Sequence, residues 1–316
     1  MICLCCGKQI RSISASSGGW HKACIQRFFG TSVMPEISLS DETLEWIVNE
    51  TTNKGYTVPG VQRKMSLHLS KGDKARLTLV GYPSVYILKP QSKEYSALPE
   101  AEQIVMCMAD AVGISTVPHG LIRSGGTYAY ITKRVDRVCL PDQPVRPLAM
   151  EDFCQLTFRL TNDKYQSSYE RCAKVIDRWS SQKNLDLAEF FTRIVFSFLI
   201  GNSDMHLKNF SLIENAPGSQ TYVLSPAYDM LPVNVVSDDK EETALALNGE
   251  TTKLRKKDFL ALAVACSLSP AAAEKMIKRL IGKVDDMIII LQNSECPDSI
   301  RKNLLKLIKK RAAVFA

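Results

Sequence analysis

Hydrophobic and polar positions alternate along residues 64–69, with Met65, Leu67 and Leu69 set against Lys64, Ser66 and His68. A period of two marks a strand with one buried face, because successive side chains leave opposite sides of the pleat. After a turn at Lys71-Gly-Asp, the runs Ala75–Val80 and Ser84–Lys89 keep the same character, which predicts three strands in succession. The period then lengthens. Over Pro99–Val112 the apolar positions Ile104, Val105, Met108 and Val112 share one helical face, Pro99 suits a first turn and Gly113 stops the helix. Two more strands are expected around Val117–Ile122 and Tyr128–Val135.

Beyond the Pro-rich loop Leu140–Pro147 the helical period dominates, over Met150–Leu160, Tyr169–Ser180 and Leu187–Ile200. Three or four amphipathic helices follow from Lys256 onward, punctuated by Pro270 and Pro297. The exception is a hairpin, Phe210–Ile213 with Thr221–Leu224, around Glu214–Gln220. An earlier helix is predicted over Leu39–Asn49, where Ser40 stands as cap and Asp41 and Glu42 put carboxylates in the first turn. Together these elements predict an α+β chain in two lobes. A Cys-rich segment occupies 1–35, a β-rich N-lobe with one main helix 36–137, and a helical C-lobe 138–316.

Composition changes this picture little. The 316 residues are 45% hydrophobic and 23% charged, as in ordinary globular chains. No apolar run reaches the roughly 18 residues that span a bilayer. The N-terminal Met-Ile-Cys-Leu-Cys-Cys lacks the basic-then-apolar order of a signal peptide, so the expected location is the cytoplasm, without a membrane partner. A net charge of +7 suits phosphate-bearing partners without requiring them. The basic run Arg301–Arg311 alternates with Leu and Ile at helical spacing and reads as a solvated helix face; direct DNA binding by the chain alone is not expected.

The ten cysteines change it more. In a cytosolic chain they argue for thiols or metal rather than disulfides. Cys107, Cys139, Cys154, Cys172 and Cys266 are scattered and read as small core residues. Cys3 and Cys6 form one knuckle, His21 and Cys24 a second, and the pair suits a structural zinc ion with every position filled by protein. The alternative is free thiols beside a surface histidine, with Cys5 as an extra thiol.

The densest chemistry lies in Gly201–Ser211, directly after the apolar run Phe190–Ile200, where Asp204, His206, Lys208 and Asn209 occupy six residues. Phosphoryl transfer asks for nucleotide phosphates held by cations and an acceptor hydroxyl aimed in line. Asp204 and Asn209 stand at the Asp-x-x-x-x-Asn spacing that supplies a base and a magnesium ligand. Lys89 ends a strand and Asp229 ends the hairpin, which would supply a phosphate contact and a second metal carboxylate. Singly, such a lysine snorkels and such an aspartate caps a turn; in this chain order they point to one reaction. His206 reads as a brace that hydrogen-bonds the loop backbone, with a base as the other reading. Lys208 reads as a phosphate contact, against a solvated loop lysine.

The stretch Gly201-Asn-x-Asp204-x-His206-x-Lys208-Asn209-x-Ser211, with Pro226-Ala-Tyr-Asp229 after it, resembles the HipA-like serine/threonine kinases of bacterial toxin–antitoxin systems. Matching residues recur in Gly60-Val-Gln62-x-Lys64, Ile87-Leu-Lys89-Pro, Glu102, Lys133-Arg-x-Asp136-Arg and Glu151-Asp-Phe-Cys-Gln155. The resemblance implies a two-lobed protein-kinase-like fold that uses ATP and Mg2+ to phosphorylate a protein and itself. It implies Lys89 with Glu102 as nucleotide lysine and helix partner, and Lys133–Val135 as the hinge against adenine. Gly60, Gln62, Lys64 and His206 would join the nucleotide site, Asp204 and Lys208 would be catalytic, and Asn209 and Asp229 would hold magnesium.

The short region before Gly60 makes the chain similar to the HipT toxins. That likeness implies separate HipS-like and HipB-like antitoxin proteins and an aminoacyl-tRNA synthetase as substrate. The family's regulatory serines are replaced here by Thr57-Val58-Pro59, which leaves Thr57 as the candidate modification site in the motif and Ser66 as a more distant one. Val135 replaces a usual Phe, and Met230-Leu231 a usual Phe-Gly. Two other readings stand beside the kinase: a catalytically silent kinase-fold binding module, and a nucleic-acid-associated regulator within a toxin–antitoxin complex.

Overall fold

In the computed structural model, which describes residues 1–12, 16–36, 64–71, 75–78, 84–92, 94–124, 126–139 and 144–316, the chain begins with a small hairpin. Strand β1 (Ser16–Ser17) pairs with β2 (Trp20–His21), and helix α1 (Lys22–Phe29) follows at once. The chain divides into two units. The first contains Met1–Cys107, Val117–Arg134 and Asn293–Pro297; the second contains Met108–Thr116, Val135–Gln292 and Asp298–Ala316. The helix expected over Leu39–Asn49 lies outside the described residues.

The first unit is built on a five-stranded antiparallel sheet. Its strands are β3 (Met65–Lys71), β4 (Ala75–Thr78), β5 (Tyr86–Lys89), β6 (His119–Ser124) and β7 (Thr127–Lys133), in the order β4-β3-β5-β7-β6. The alternation in the sequence has the predicted cause, since Met65 and Leu67 are buried while Ser66 and His68 are half-buried. Helix α2 (Leu98–Val112) belongs to this unit as far as Cys107 and buries Ala101, Ile104 and Val105.

The Cys-rich segment packs on the same sheet. Trp20, Phe28, Phe29 and Tyr86 form an aromatic cluster with centroids 4.7–5.6 Å apart. Trp20 Nε1 donates to the Leu121 carbonyl at 2.7 Å, and the Leu121 amide donates to the Leu4 carbonyl at 2.8 Å. Gly120 makes this approach possible, because a Cβ there would overlap the Trp20 ring.

The second unit starts with the short pair β8 (Arg137–Val138) and β9 (Arg146–Pro147). The next element corrects an expectation. Met150–Leu160 is not one helix: Met150–Asp152 forms strand β10, and helix α3 covers only Phe153–Leu156. Asp152 ends the strand and caps the helix, its side chain accepting from the Gln155 amide while the Gln155 side chain takes the Asp152 amide. Helix α4 (Tyr169–Trp179) leads to α5 (Lys183–Ile200). The apolar run is this helix's C-terminal part, with Phe190, Phe191, Phe196 and Phe198 at most 1% exposed. Truncating such phenylalanines to Ala costs about 3–5 kcal/mol each.

Gly201 stops α5 at φ +79°, a left-handed C-cap in which a Cβ would be strained. After one 3-10 turn (Leu207–Asn209) come β11 (Ser211–Glu214) and β12 (Tyr222–Leu224), the expected hairpin. Strand β10 pairs antiparallel with the outer side of β11, Asp152 opposite Ser211. Helix α6 (Val233–Val236) precedes four helices: α7 (Lys256–Ala265), α8 (Pro270–Ile281), α9 (Val284–Gln292) and α10 (Asp298–Ala312).

On α10 the basic run is a solvated face with one exception. Arg311 is buried and donates through Nη1 to the Phe198 carbonyl at 2.5 Å and through Nη2 to Asn234 Oδ1 at 2.9 Å. It thereby gives a C-terminal carbonyl of α5 a second donor beside the Gly201 amide at 3.2 Å. No described helix is long and apolar enough to cross a membrane.

Candidate functional site

In the first unit, antiparallel pairing sets Lys89 opposite Tyr130 at the end of β5. The Lys89 ammonium lies 2.5 Å from Glu102 Oε1 on α2 and 5.2 Å from the Tyr130 ring centroid. Lys89 is 3% exposed and Glu102 0%. Two charges taken so far out of water must compensate each other, which is why the pair fixes the helix against the sheet. Lys133 ends β7, and its amide donates to the Pro118 carbonyl at 2.9 Å. Lys64 and Val135 are half-buried. Gly60, Gln62 and Thr57 lie outside the described residues.

In the second unit the functional groups follow the left-handed stop at Gly201. The loop is held from several sides. Ser203 Oγ donates to Asp239 Oδ2 at 2.5 Å, and Asn234 donates to Ser203 Oγ at 3.2 Å and through its own amide to the Gly201 carbonyl at 3.0 Å. Asp204 Oδ1 accepts the Tyr165 hydroxyl at 2.5 Å, while the Asp204 amide is held by Asn202 Oδ1 at 3.3 Å. The Asp204 side chain is 45% exposed. Burial, then the adjoining Asp204 carboxylate, pushes the Tyr165 phenol up, so that it stays protonated and acts as a donor.

His206 differs from the expected backbone brace. Its ring packs edge-on against Tyr165, with centroids 5.1 Å apart, and Nδ1 is buried with no hydrogen-bond partner. Nε2 is 3.9 Å from Asp204 Oδ1, beyond hydrogen-bond reach. Burial lowers its pKa from 6.5 to about 4 against the opposing effect of Asp204, so the ring is neutral at pH 7. The folded state therefore resists binding a proton that the unfolded chain accepts, and stability falls as pH drops from above 6.5 toward 4. Between pH 7 and pH 5 this contributes about 2 kcal/mol of lost stability. Urea unfolding at the two pH values checks it: the loss is expected to shrink by most of that amount in His206→Gln.

Lys208 is half-buried and paired. Its ammonium lies 2.5 Å from Asp152 Oδ2, the residue at the junction of β10 and α3. Asn209 is 3% exposed, and its amide nitrogen donates to the Asp229 main-chain carbonyl at 3.4 Å. Its other end, Oδ1, is buried without a hydrogen-bond partner. Leaving such an oxygen unsatisfied is costly. Asp229 itself sits at φ +60°, a conformation uncommon for a side-chain-bearing residue. An orphaned amide oxygen tied to an aspartate is a hard-oxygen donor set, which fits magnesium.

Sequence reasoning had not singled out Tyr165, Asp152, Asn234, Asp239 or Arg311. Asp152 carried a local signal in its capping box with Gln155. The others act through partners distant in sequence.

A third constellation is in the first unit. Cys3, Cys6, His21 and Cys24 bring their ligand atoms within 4.8 Å of one another, the one such cluster among the described residues. Cys3 and Cys24 sulfurs are 3.9 Å apart, and His21 Nδ1 is 3.5 Å from Cys6 Sγ and 3.9 Å from Cys24 Sγ. A tetrahedral zinc ion with bonds of about 2.3 Å to sulfur and 2.0 Å to nitrogen has ligand edges of about 3.5–3.8 Å. The three distances of 3.5–3.9 Å are close to that size.

A family model described as HipA-like C-terminal domain matches residues 56–288. The Sinorhizobium fredii protein Y4dM, provisionally named a kinase, is 35% identical over 234 residues, which are 68% of this chain and 54% of the relative. The Shewanella oneidensis serine/threonine-protein kinase toxin HipA is 25% identical over 209 residues, 61% of this chain and 47% of the relative. The chain thus spans about half the length of these curated relatives. Among solved structures, the Shewanella oneidensis toxin–antitoxin complex of HipA, HipB and operator DNA contains a chain that superposes with a TM-score of 0.67 at 19% identity, covering 92% of this chain and 70% of that one. The Helicobacter pylori kinase CtkA superposes with a TM-score of 0.53 at 14% identity, covering 79% and 93%. At these identities the structures speak for the fold alone.

Proposed function

The chain belongs to the HipA-like C-terminal domain family, and on that premise we propose that it is an ATP-dependent serine/threonine protein kinase acting as a bacterial toxin in the cytoplasm. The observation that carries this reading is the buried, unpartnered Asn209 Oδ1 tied to Asp229, five residues after the accessible Asp204. Lys89, fixed by Glu102, contacts the α- and β-phosphates, and the Lys133–Val135 backbone lies against the adenine. Lys64, Gly60 and Gln62 would join the nucleotide site. Magnesium, when bound, neutralises charge building on the β- and γ-oxygens. Asn209 Oδ1 and the Asp229 carboxylate are the groups that would hold it.

Asp204 receives the proton of the acceptor serine or threonine. The hydroxyl oxygen bonds to the γ-phosphorus as the bond to the β,γ-bridging oxygen breaks, and ADP leaves with that electron pair. Lys208 balances charge beside Asn209 through its ion pair with Asp152 rather than by a free ammonium. His206, neutral and buried, keeps Tyr165 in contact with Asp204.

The finer reading follows the HipT likeness: an aminoacyl-tRNA synthetase as substrate, self-phosphorylation with Thr57 as its site, and separate HipS-like and HipB-like proteins as antitoxins. Zn2+ at Cys3, Cys6, His21 and Cys24 is a structural metal within the same reading. Incubating the purified chain with labelled ATP and Mg2+, with and without a cell extract, and mapping phosphosites tests it. Label is expected on a synthetase and on the chain itself; its absence from every protein would favour a silent binding module.

A further inference from the structure

We propose that zinc at Cys3, Cys6, His21 and Cys24 controls the nucleotide grip, because the knuckle it closes is hydrogen-bonded to Gln103, the residue next to Glu102. The inference rests on the kinase reading for the meaning of Lys89 and Glu102, and on geometry alone for the link.

The ligand set is oriented as well as close. His21 Nε2 lies 3.3 Å from the Gln9 carbonyl, an acceptor that places the ring proton on Nε2 and leaves the Nδ1 lone pair facing the three sulfurs. A histidine that ligates a metal is typically held in this way by its other nitrogen. The His21 amide also donates to Cys3 Sγ at 3.3 Å, a contact that stabilises a thiolate. Cys3, Cys24 and their surroundings are buried, whereas Cys6 and His21 are half-buried, so an ion can enter from one side.

The coupling starts at Cys5, between two ligands. Its carbonyl accepts from Gln103 Nε2 at 2.9 Å. Gln103 is 6% exposed; its Oε1 accepts from His119 Nδ1 at 2.8 Å, and Nε2 also reaches Cys107 Sγ at 3.3 Å. One face of α2 therefore reads the knuckle through Gln103 and Cys107. Glu102, about 100° around the helix, holds Lys89 at 2.5 Å. On the knuckle's other side the Leu4 amide donates to Gly19 at 3.0 Å and its carbonyl accepts from Leu121 at 2.8 Å.

Without metal, Cys3–Cys6 and His21–Cys24 keep only weak hydrogen bonds to sulfur, such as that from the His21 amide to Cys3 Sγ at 3.3 Å, in place of four metal bonds. The Cys5 carbonyl then loses its fixed position, and α2 loses a buried hydrogen bond one residue from the ion pair. A displacement of Glu102 by a fraction of its 2.5 Å contact is enough to release Lys89 from the position that suits the phosphates.

The test uses the full chain purified without chelator. Elemental analysis is expected to find one zinc per chain. Dipicolinic acid followed by excess Mg2+ should raise the Kd for ATP about tenfold, the loss expected for one charge-assisted contact, and added zinc should restore it. Hydrogen exchange is expected to rise along residues 98–107 on zinc removal while residues 183–200 stay protected. Gln103→Met should keep the zinc yet show the same gain in exchange and the same weakened ATP binding. Absence of zinc after purification and after titration would overturn the site. Stoichiometric zinc whose removal leaves exchange at 98–107 unchanged would overturn the coupling. A zinc-loaded chain that binds no ATP would instead overturn the kinase reading, and the exchange data would still decide the link.

Discussion

Replacing Asp204 by Gln is expected to lower the rate of phosphoryl transfer by about 10²–10⁴-fold, the range that a positioned general base contributes, with little change in the KM for ATP. The expectation follows from the loop's division of labour. Asn209 and Asp229 are joined to each other by a hydrogen bond, whereas Asp204 stands five positions earlier, 45% exposed, and takes no part in that pair. A carboxylate keeps a second oxygen to accept the acceptor's proton while Oδ1 holds the Tyr165 hydroxyl. Glutamine retains polarity and a hydrogen bond to Tyr165 but has no basic oxygen. Because the side chain is half exposed, the change in folding stability is expected to stay within about 0.5 kcal/mol. Transfer from labelled ATP and growth arrest on induction both read the effect. A variant that still phosphorylates at the wild-type rate would remove Asp204 from the chemistry.

The parts of this fold that were legible in the sequence are those specified locally. Met65 and Leu67 alternate with half-buried neighbours because one sheet face is buried, and Ile104, Val105, Met108 and Val112 are all buried on α2. Gly201 and Gly113 mark the ends of two helices by their left-handed backbone. Met150–Asp152 escaped because three residues are too few to establish a period. Their strand conformation comes from pairing with Ser211–Ile213, about sixty positions onward, and no local propensity encodes that partner.

The site divides in the same way. Asp204, His206, Lys208 and Asn209 were visible because one short loop carries them all. What each side chain does was less visible, since a neighbour from elsewhere decides it. Lys208 looked like a choice between phosphate and solvent, and Asp152, 56 residues earlier, takes its ammonium. Tyr165 reaches Asp204 across 39 residues, and Arg311 reaches the end of α5 across 113. Such contacts depend on packing, so spacing alone does not announce them. The Cys/His cluster is the intermediate case: its two knuckles were legible from Cys3-x-x-Cys6 and His21-x-x-Cys24, but their attachment to α2 through Gln103 was not.

Lys89→Ala is expected to have the second large effect, and in two separable ways. The substitution takes the 2.5 Å counter-ion from a carboxylate that is 0% exposed. Breaking one side of a buried pair costs about 3–5 kcal/mol, so the urea midpoint should fall sharply. ATP binding should be lost as well, because in the proposed reaction the same ammonium would be the phosphate contact. The two losses part in Lys89→Met combined with Glu102→Leu. Replacing both charges by apolar side chains of similar volume relieves the unpaired carboxylate, and stability is expected to return to within about 1–2 kcal/mol of the wild type. ATP binding should not return, since methionine offers phosphate no charge. Urea unfolding and ATP titration of the three proteins check this directly. A stable Lys89→Ala would mean that the pair is not the buried anchor its geometry describes. A double variant that binds ATP normally would mean that Lys89 anchors the helix and has no part in holding the nucleotide.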